Sequence, residues 1–148
     1  MDIVIEKAKA CTLQEIADIE KEIFSTPWSL KNITDTFKNE NNCFFVAKDS
    51  ESGETVGHIC LETVLDEGIL TSVAVKEKYR NKGIAKKLMD SFIDEAKNRN
   101  IAFINLEVRA SNAPAIAMYE KYGFEKVGTR KNYYSKPTED ALLMMLNF

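Results

Sequence analysis

The sequence predicts one α/β domain over residues 1–148, built on a mixed sheet. A strand-like segment, Thr71–Val75, leads through a short loop to apolar residues that recur at helical spacing from Ile84. A further strand-like segment, Ala102–Val108, follows that helix, and a strand–helix–strand succession predicts parallel pairing with a right-handed crossover. The other strand-like segments are joined by short turns, which predicts antiparallel pairing around that central parallel pair.

The chain begins with one predicted strand and two predicted helices. Ile3–Ile5 is typical of a short strand, and the spacing of Thr12 and Glu15 predicts a capping box that starts a helix. That helix ends near Phe24–Trp28, where a proline stops it, and Ser29 can cap a second helix. The aromatic-rich bend between the helices is either a binding loop or a hydrophobic corner.

Two strands, Cys43–Lys48 and Thr55–Leu65, form a predicted hairpin, and a turn at Asp66–Gly68 leads into the strand that ends at Val75. The helix from Ile84 ends at the polar residues 98–100.

Asn112 is a predicted cap of a further helix, which has Pro114 in its first turn and Gly123 after its last. Two terminal strands, Phe124–Asn132 and Ala141–Phe148, complete the predicted sheet with flanking helices.

Composition and charge narrow the class of protein. Of the 148 residues, 45% are hydrophobic and 29% are charged, which is ordinary for a folded globular domain. No apolar run approaches the roughly 20 residues that span a membrane, and the first residues do not resemble a signal peptide. The formal charge of −3 argues against general nucleic-acid binding and favours a basic partner. We therefore expect a cytoplasmic monomer without a membrane or nucleic-acid partner.

Cysteine and histidine usage excludes several kinds of site. Cys11, Cys43 and Cys60 are widely spaced and form no C-x-x-C motif, so we expect reduced thiols. His58 is the single histidine, lies in a strand-like run, and is expected to be structural. One histidine without clustered cysteines can build neither a usual metal site nor a Ser-His-Asp triad. We therefore expect no metal, and any chemistry must use carboxylates, tyrosines and backbone groups.

The start of the Ile84 helix is a candidate anion site. Gly83 precedes it, and the basic residues Arg80, Lys82, Lys86 and Lys87 surround it. A helix N-terminus offers unpaired N–H groups and a partial positive charge, which suit phosphate. A solvated, lysine-rich helix start is an equally good interpretation of the composition alone.

Glu107 and Tyr119 are candidate proton-transfer residues. Glu107 lies between Leu106 and Val108 near the end of a central strand, where a buried acid is costly unless it is paired or functional. The alternative is that it points to solvent beyond the sheet edge. Tyr119 lies two turns into the next helix, where a half-buried packing role is the commoner one for an aromatic residue.

Together these motifs resemble a known family. Arg80-x-x-Gly83-x-Ala85 after a Val-Ala-Val strand resembles the pyrophosphate motif of the GNAT superfamily of acetyl-CoA-dependent N-acetyltransferases. The segment from Leu106 resembles the RimI-type branch, which acetylates an alanine at the start of a ribosomal protein. The likeness covers nearly the whole chain and also includes Pro27-Trp28-Ser29, Leu65-Asp66-Glu67, Tyr119-Glu120-x-x-Gly123-Phe124, Arg130-x-Asn132-Tyr133-Tyr134 and Glu139-Asp140-Ala141.

The sequence departs from the family pattern in two places. Ala85 replaces the commoner second glycine, and Lys76-Glu77 stands where Asp-Pro is frequent. The family accepts alanine at the first of these, so only the detail of the pyrophosphate contacts is affected.

The resemblance implies a GNAT fold and a role for each site residue. Glu107 would be the general base and Tyr119 the general acid. The residues implied to bind the co-substrate acetyl-CoA are Val73, Ala74, Val75, Arg80, Asn81, Lys82, Gly83, Ile84, Ala85, Lys86 and Asn112. The residues implied to bind the peptide substrate are Phe24, Trp28, Glu67, Tyr133 and Tyr134.

We therefore predict transfer of an acetyl group to the N-terminal α-amine of a protein, an alanine of a basic ribosomal protein. Within the enzyme class the alternative is a GNAT that acetylates a lysine side chain or a small amine. From another class, the alternative is a non-catalytic CoA-binding module, which would leave Glu107 and Tyr119 without a function.

Overall fold

Seven strands form one mixed sheet, and four α-helices cover its faces. The computed structural model describes all of residues 1–148. The strands are β1 Ile3–Lys7, β2 Cys43–Asp49, β3 Thr55–Val64, β4 Glu67–Val75, β5 Phe103–Arg109, β6 Glu125–Tyr134 and β7 Glu139–Asn147. The helices are α1 Leu13–Ile23, α2 Leu30–Lys38, α3 Ile84–Asn98 and α4 Ala113–Lys121. No helix has both the length and the apolar character needed to cross a membrane.

The strand order is β1-β2-β3-β4-β5-β7-β6. Only β4 and β5 pair in parallel, and every other neighbouring pair is antiparallel. The α3 helix makes the crossover between the two parallel strands. The predicted mixed, largely antiparallel sheet with one central parallel pair is therefore confirmed.

The parallel pairing is shorter than either of its strands. The last register pair is Leu70 with Leu106, although β4 continues to Val75 and β5 to Arg109. On its other side, β4 carries an extra residue, Thr71, relative to β3, which is the arrangement of a β-bulge. Beyond Leu70, β4 has no ladder to β5, so the sheet opens into a gap between these two strands.

The two faces of the sheet carry separate cores. Alternating residues of β2 divide between them, because successive strand side chains point to opposite faces. Phe44 and Val46 pack with α1 and α2, whereas Phe45 and Ala47 belong to the larger core with α3 and Tyr119 of α4. The helices before β2 therefore cover one face, and those after β4 cover the other.

The predicted capping box of α1 is wrong, although the helix starts where expected. The Thr12 hydroxyl donates to the Lys9 carbonyl at 2.8 Å and accepts from the Lys9 N–H at 3.0 Å, and it makes no cap bond to α1. The Glu15 carboxylate accepts a hydrogen bond from the Thr55 hydroxyl on β3. Both side chains thus find partners outside the helix.

Two strand boundaries also differ from the prediction. The turn between β3 and β4 consists of Leu65 and Asp66, with Leu65 at a φ of 56°, so Glu67 begins β4 rather than lying in the turn. The β6 strand extends to Tyr134, so Tyr133 and Tyr134 end a strand. Both shifts hold candidate substrate residues on strands rather than on loops.

Candidate active site

A cavity of about 560 Å³ lies at the gap between β4 and β5. Ile69 and Leu70 line it from β4, and Leu106 and Glu107 line it from β5. Because consecutive strand residues point to opposite faces, the cavity borders the strand edges as well as one face. The other lining residues are Glu67, Thr71, Asn105, Val127, Arg130, Tyr133, Tyr134, Leu143 and Met144.

Glu107 lies in the wall of this cavity. Leu106 and Val108 belong to the core beneath α3, so Glu107 between them points to the opposite face, the one covered by α1 and α2. Its side chain is 30% exposed, and the Nε atom of Arg130 lies 3.8 Å from its Oε1. The sequence left a solvent-pointing acid open as an alternative. The structure instead turns this carboxylate into a cavity, where it can accept a proton.

Tyr133 and Tyr134 form an aromatic wall beside Glu107. Their rings meet edge to face, with centroids 5.0 Å apart and an interplanar angle of 85°. Interaction with the Glu107 carboxylate, together with burial, raises the pKa of Tyr133. Burial and then the charge of Glu107 raise the pKa of Tyr134 to about 12. Both hydroxyls therefore stay protonated at neutral pH.

Tyr119 lies on the other side of the sheet from Glu107. It is 5% exposed in the core beneath α3, and its ring centroid lies 5.7 Å from that of Phe124. Burial raises the pKa of its hydroxyl strongly, and the neighbouring Tyr134 adds to the effect. The phenol is therefore neutral at any physiological pH and carries a proton that it can donate.

The predicted anion site has the backbone geometry of a ligand loop. Asn81 and Gly83 have left-handed φ angles of 62° and 77°, and Gly83 is the N-cap of α3. A Cβ added at Gly83 would meet no atom within 4 Å. The first N–H groups of a helix, here those of Ile84, Ala85 and Lys86, have no partner within the helix, and anion binding at this end stays a prediction.

Two of the basic side chains near this end, those of Arg80 and Lys86, have partners within the protein. The Arg80 Nε donates to the Val75 carbonyl at 3.2 Å, and the Lys86 Nζ lies 3.2 Å from Asp90 Oδ2. Lys82 is exposed in the loop. The first of these bonds ties the loop to the end of β4, which carries the other predicted cofactor residues, Val73, Ala74 and Val75.

The sequence profile described as the acetyltransferase (GNAT) family matches residues 13–124, most of the chain. This chain belongs to the GNAT acetyltransferase family. The prediction of an acetyl-CoA-dependent acetyltransferase with this fold is therefore confirmed.

Relatives of this GNAT chain carry one shared name. The ribosomal protein bS18-alanine N-acetyltransferase of Escherichia coli K12 is 37% identical over 132 residues, 86% of each protein. The enzyme of that name from Haemophilus influenzae is 33% identical over 144 residues, 95% of this chain and 96% of the relative. The crystal structure of the E. coli ribosomal-protein-S18-alanine N-acetyltransferase superposes with a TM-score of 0.90 at 34% identity, covering 99% and 94% of the two chains. The similarity to the RimI-type branch is confirmed.

Arg109 is a residue of this GNAT site that the sequence interpretation missed. Its guanidinium donates to the carbonyls of Ser135 and Pro137, each at 2.9 Å, and lies 4.5 Å from the ring centroid of Tyr134. It also reaches the Ser25 hydroxyl at 3.5 Å in the loop after α1. Arg109 therefore ties the loop between β6 and β7 to the loop between α1 and α2. The sequence did offer one sign of this role, because Arg109 lies two residues after Glu107 and therefore on the same face of the strand.

Glu67 and Asn105 form a second polar pair in the cavity. The Asn105 amide donates to Glu67 Oε2, and Asn105 shares a strand face with Glu107 two residues later. Glu67 has no cationic partner in the protein. The cavity thus holds two carboxylates, one held by an amide and the other 3.8 Å from a guanidinium.

The predicted substrate residues Phe24 and Trp28 do not line the cavity. Phe24 caps the end of α1 and is 37% exposed, and the Trp28 ring packs edge to face on Phe44 at 6.2 Å. Trp28 thus packs against the core of the α1/α2 face. Its peptide contact stays a prediction, as does the cofactor contact of Asn112, whose Oδ1 caps α4 by accepting from Ala115 N–H at 3.3 Å.

Proposed function

We propose that this GNAT enzyme transfers an acetyl group from acetyl-CoA to the α-amine of a protein that begins with alanine. The relatives that share a third of its residues are named for such a reaction on ribosomal protein bS18. The observation that carries the proposal is the gap between β4 and β5, which opens onto a cavity lined by Glu107, Tyr133 and Tyr134.

Acetyl-CoA is assigned to the α3/α4 side of this gap. The N-terminus of α3 behind Gly83 would hold the pyrophosphate, since its first backbone N–H groups have no partner within the helix and a Cβ added at Gly83 would meet no atom within 4 Å. The β4 segment from Val73 to Val75 pairs with β3 but has no partner strand on its β5 side. The backbone groups that point to the β5 side, other than the Val75 carbonyl that accepts from Arg80, can therefore bond the amide groups of the pantetheine arm. Asn112, at the start of α4, lies in the element that also carries Tyr119.

The chemistry follows from the two proton-transfer groups. Glu107 takes a proton from the substrate ammonium, and the neutral amine attacks the thioester carbonyl to form the new C–N bond. A backbone N–H of Ala74 or Val75 stabilises the oxyanion. The C–S bond then breaks, the leaving thiolate receives the proton of Tyr119, and the proton that the new amide nitrogen loses restores the Tyr119 hydroxyl through solvent.

The required base is modest. An α-amine has a pKa of about 7.7–8.0, so a carboxylate can deliver enough of the neutral form near neutral pH. A lysine amine, with a pKa of about 10.4, would stay charged and would need a stronger base. This difference favours an N-terminal substrate over the alternative of a lysine side chain.

The cavity wall also favours a small first residue. Tyr133 and Tyr134 meet edge to face in the wall that also holds Glu107, so their rings would limit the room for a bulky side chain beside the reacting amine. Glu67 lines the same cavity without a cation of its own, so it can pair with a basic residue later in the peptide. We therefore assign a basic protein N-terminus as the substrate.

The test compares three peptides of one basic sequence. The first starts with a free alanine, the second with a free phenylalanine, and the third has a blocked N-terminus and an internal lysine. We expect kcat/KM, followed by mass spectrometry and thiol release, to be highest for the alanine peptide.

Each other outcome points to a different function. A preference for the blocked peptide would identify a lysine acetyltransferase. CoA binding without turnover on any peptide or small amine would identify a non-catalytic module.

A further inference from the structure

A buried carboxylate outside the cavity, that of Glu20, joins three parts of the molecule. It lies on α1 and is 3% exposed. Its Oε1 accepts from the Trp28 N–H at 3.1 Å, and its Oε2 accepts from the Ser72 hydroxyl at 2.7 Å. The Nε2 of His58 on β3, which is fully buried, lies 3.1 Å from the same Oε2.

Such a carboxylate is costly to bury unless it is paired and hydrogen-bonded. Burial raises the pKa of Glu20, but the proximity of His58 and the hydrogen bonds from Ser72 and Trp28 outweigh it, so the pKa is lowered overall. The anion is therefore the stable form in the folded protein. The pair with His58 is not ideal, since the ring nitrogen makes no hydrogen bond of standard geometry.

The two oxygens reach the two proposed substrate regions. Oε1 holds the backbone of Trp28, in the loop between α1 and α2 that Arg109 also contacts through Ser25. Oε2 holds Ser72, which follows the bulge residue Thr71 on β4 and lies beyond the last β4–β5 register pair. The residues after Ser72 are those assigned to the pantetheine arm.

We propose that Glu20 is a positioning residue that fixes the peptide-side loop through Oε1 and the free segment of β4 through Oε2. This inference rests on the proposed function, because the two regions it joins are the proposed peptide and cofactor regions. Ser72 transmits only the second effect, since its hydroxyl contacts Oε2 and no atom of the loop. Glu20 itself touches neither substrate.

A merely structural buried pair makes a different prediction. It would lower the stability of the protein and leave the KM values of the folded enzyme unchanged. A positioning residue instead changes KM in a pattern set by which oxygen loses its partner. The variants Glu20→Gln and Ser72→Ala separate these effects, because the first removes the charge behind both links and the second removes one link.

For Glu20→Gln we expect the KM of the alanine peptide and that of acetyl-CoA each to rise about tenfold, since charge-assisted bonds become neutral ones. For Ser72→Ala we expect only the KM of acetyl-CoA to rise, about fivefold. The control is Glu22→Gln, an exposed residue of the same helix that makes none of these contacts, and it should behave as wild type.

Amide hydrogen exchange at Trp28 tests the loop link without any acetylation assay. We expect faster exchange in Glu20→Gln and unchanged exchange in Ser72→Ala. If the wild type acetylates no peptide, the proposed function fails, while this exchange still reports on the link. Unchanged KM values and unchanged Trp28 exchange in an active Glu20→Gln enzyme would overturn the inference alone. An equal rise in peptide KM for Ser72→Ala would overturn the division between the two oxygens.

Discussion

The two faces of the sheet expose the two proposed proton-transfer groups to solvent to very different extents. On the α1/α2 face, Glu107 is 30% exposed in a cavity and lies beside a guanidinium and two phenols. On the α3/α4 face, Tyr119 is 5% exposed among apolar side chains. The gap between β4 and β5 lies between these two environments.

This difference matches the proposed division of labour. A base must release its proton to solvent after each turnover, which a partly exposed carboxylate can do. An acid that acts only when a thiolate leaves is better kept dry, because burial keeps its proton in place until an anion arrives. In the proposed mechanism, the gap between β4 and β5 would let a partly exposed base and a buried acid act on the same reacting centre.

The largest expected effect on catalysis comes from the α3/α4 face, which buries Tyr119. Replacing Tyr119 by Phe removes the proposed proton donor and keeps the ring that packs on Phe124. We expect kcat to fall by roughly 10²–10⁴ with little change in the KM of acetyl-CoA. Steady-state kinetics with the alanine peptide measures both.

The control for this change is Tyr122→Phe, a tyrosine at the end of the same helix. Its hydroxyl donates to Asp90 Oδ1 at 2.6 Å and to the Lys86 carbonyl at 3.1 Å rather than facing the gap. We expect it to lose stability and to keep kcat. A Tyr119→Phe enzyme with wild-type kcat would mean that Tyr119 does not protonate the leaving thiolate.

A smaller, pH-dependent effect on kcat/KM is expected from the α1/α2 face, where Glu107 is partly exposed. In Glu107→Gln the substrate amine must lose its proton to solvent, and its pKa of about 7.7–8.0 makes this harder as the pH falls. We expect kcat/KM to drop about tenfold to a hundredfold at pH 6.5 and to approach wild type above pH 8.5. A loss that is constant across this range would show that Glu107 acts in some way other than as a base.

The sequence was sufficient for the features that depend on local pattern. The apolar spacing from Ile84 predicted a helix that the structure has as Ile84–Asn98, and the strand–helix–strand succession predicted the parallel pair. Glu107 and Tyr119 were singled out because each lies at a position that the resembled family uses for chemistry, and their roles stay predictions. These signals lie within a few residues of one another in the chain.

The remaining features depend on contacts between distant segments. Glu20 reads as one more polar residue of an amphipathic helix, and only the fold brings it to Ser72, which is 52 residues away. The capping box failed for the same reason, since Glu15 bonds to Thr55 across 40 residues. The end of the β4–β5 ladder was equally invisible, because apolar residues continue along both strands past the point where pairing stops.

The smallest predicted effect on function concerns the affinity for CoA, and it tests whether the pyrophosphate binds at the N-terminus of α3. A Val at Gly83 would place a Cβ in the open space before α3, where the pyrophosphate is proposed to bind, and would strain a left-handed residue. We expect the Kd of CoA to rise about tenfold by calorimetry, with kcat at saturating acetyl-CoA close to wild type. The strain itself should cost about 1–2 kcal/mol of stability.

Gly53 offers a matched control, since its φ of 76° and its lack of neighbours within 4 Å are nearly the same, but it lies in the β2–β3 turn. Gly53→Val should lose similar stability and keep its affinity for CoA. Equal affinities for CoA in the two variants would place the phosphate site elsewhere. The contrast between an exposed base and a buried acid would then rest on Glu107 and Tyr119 alone.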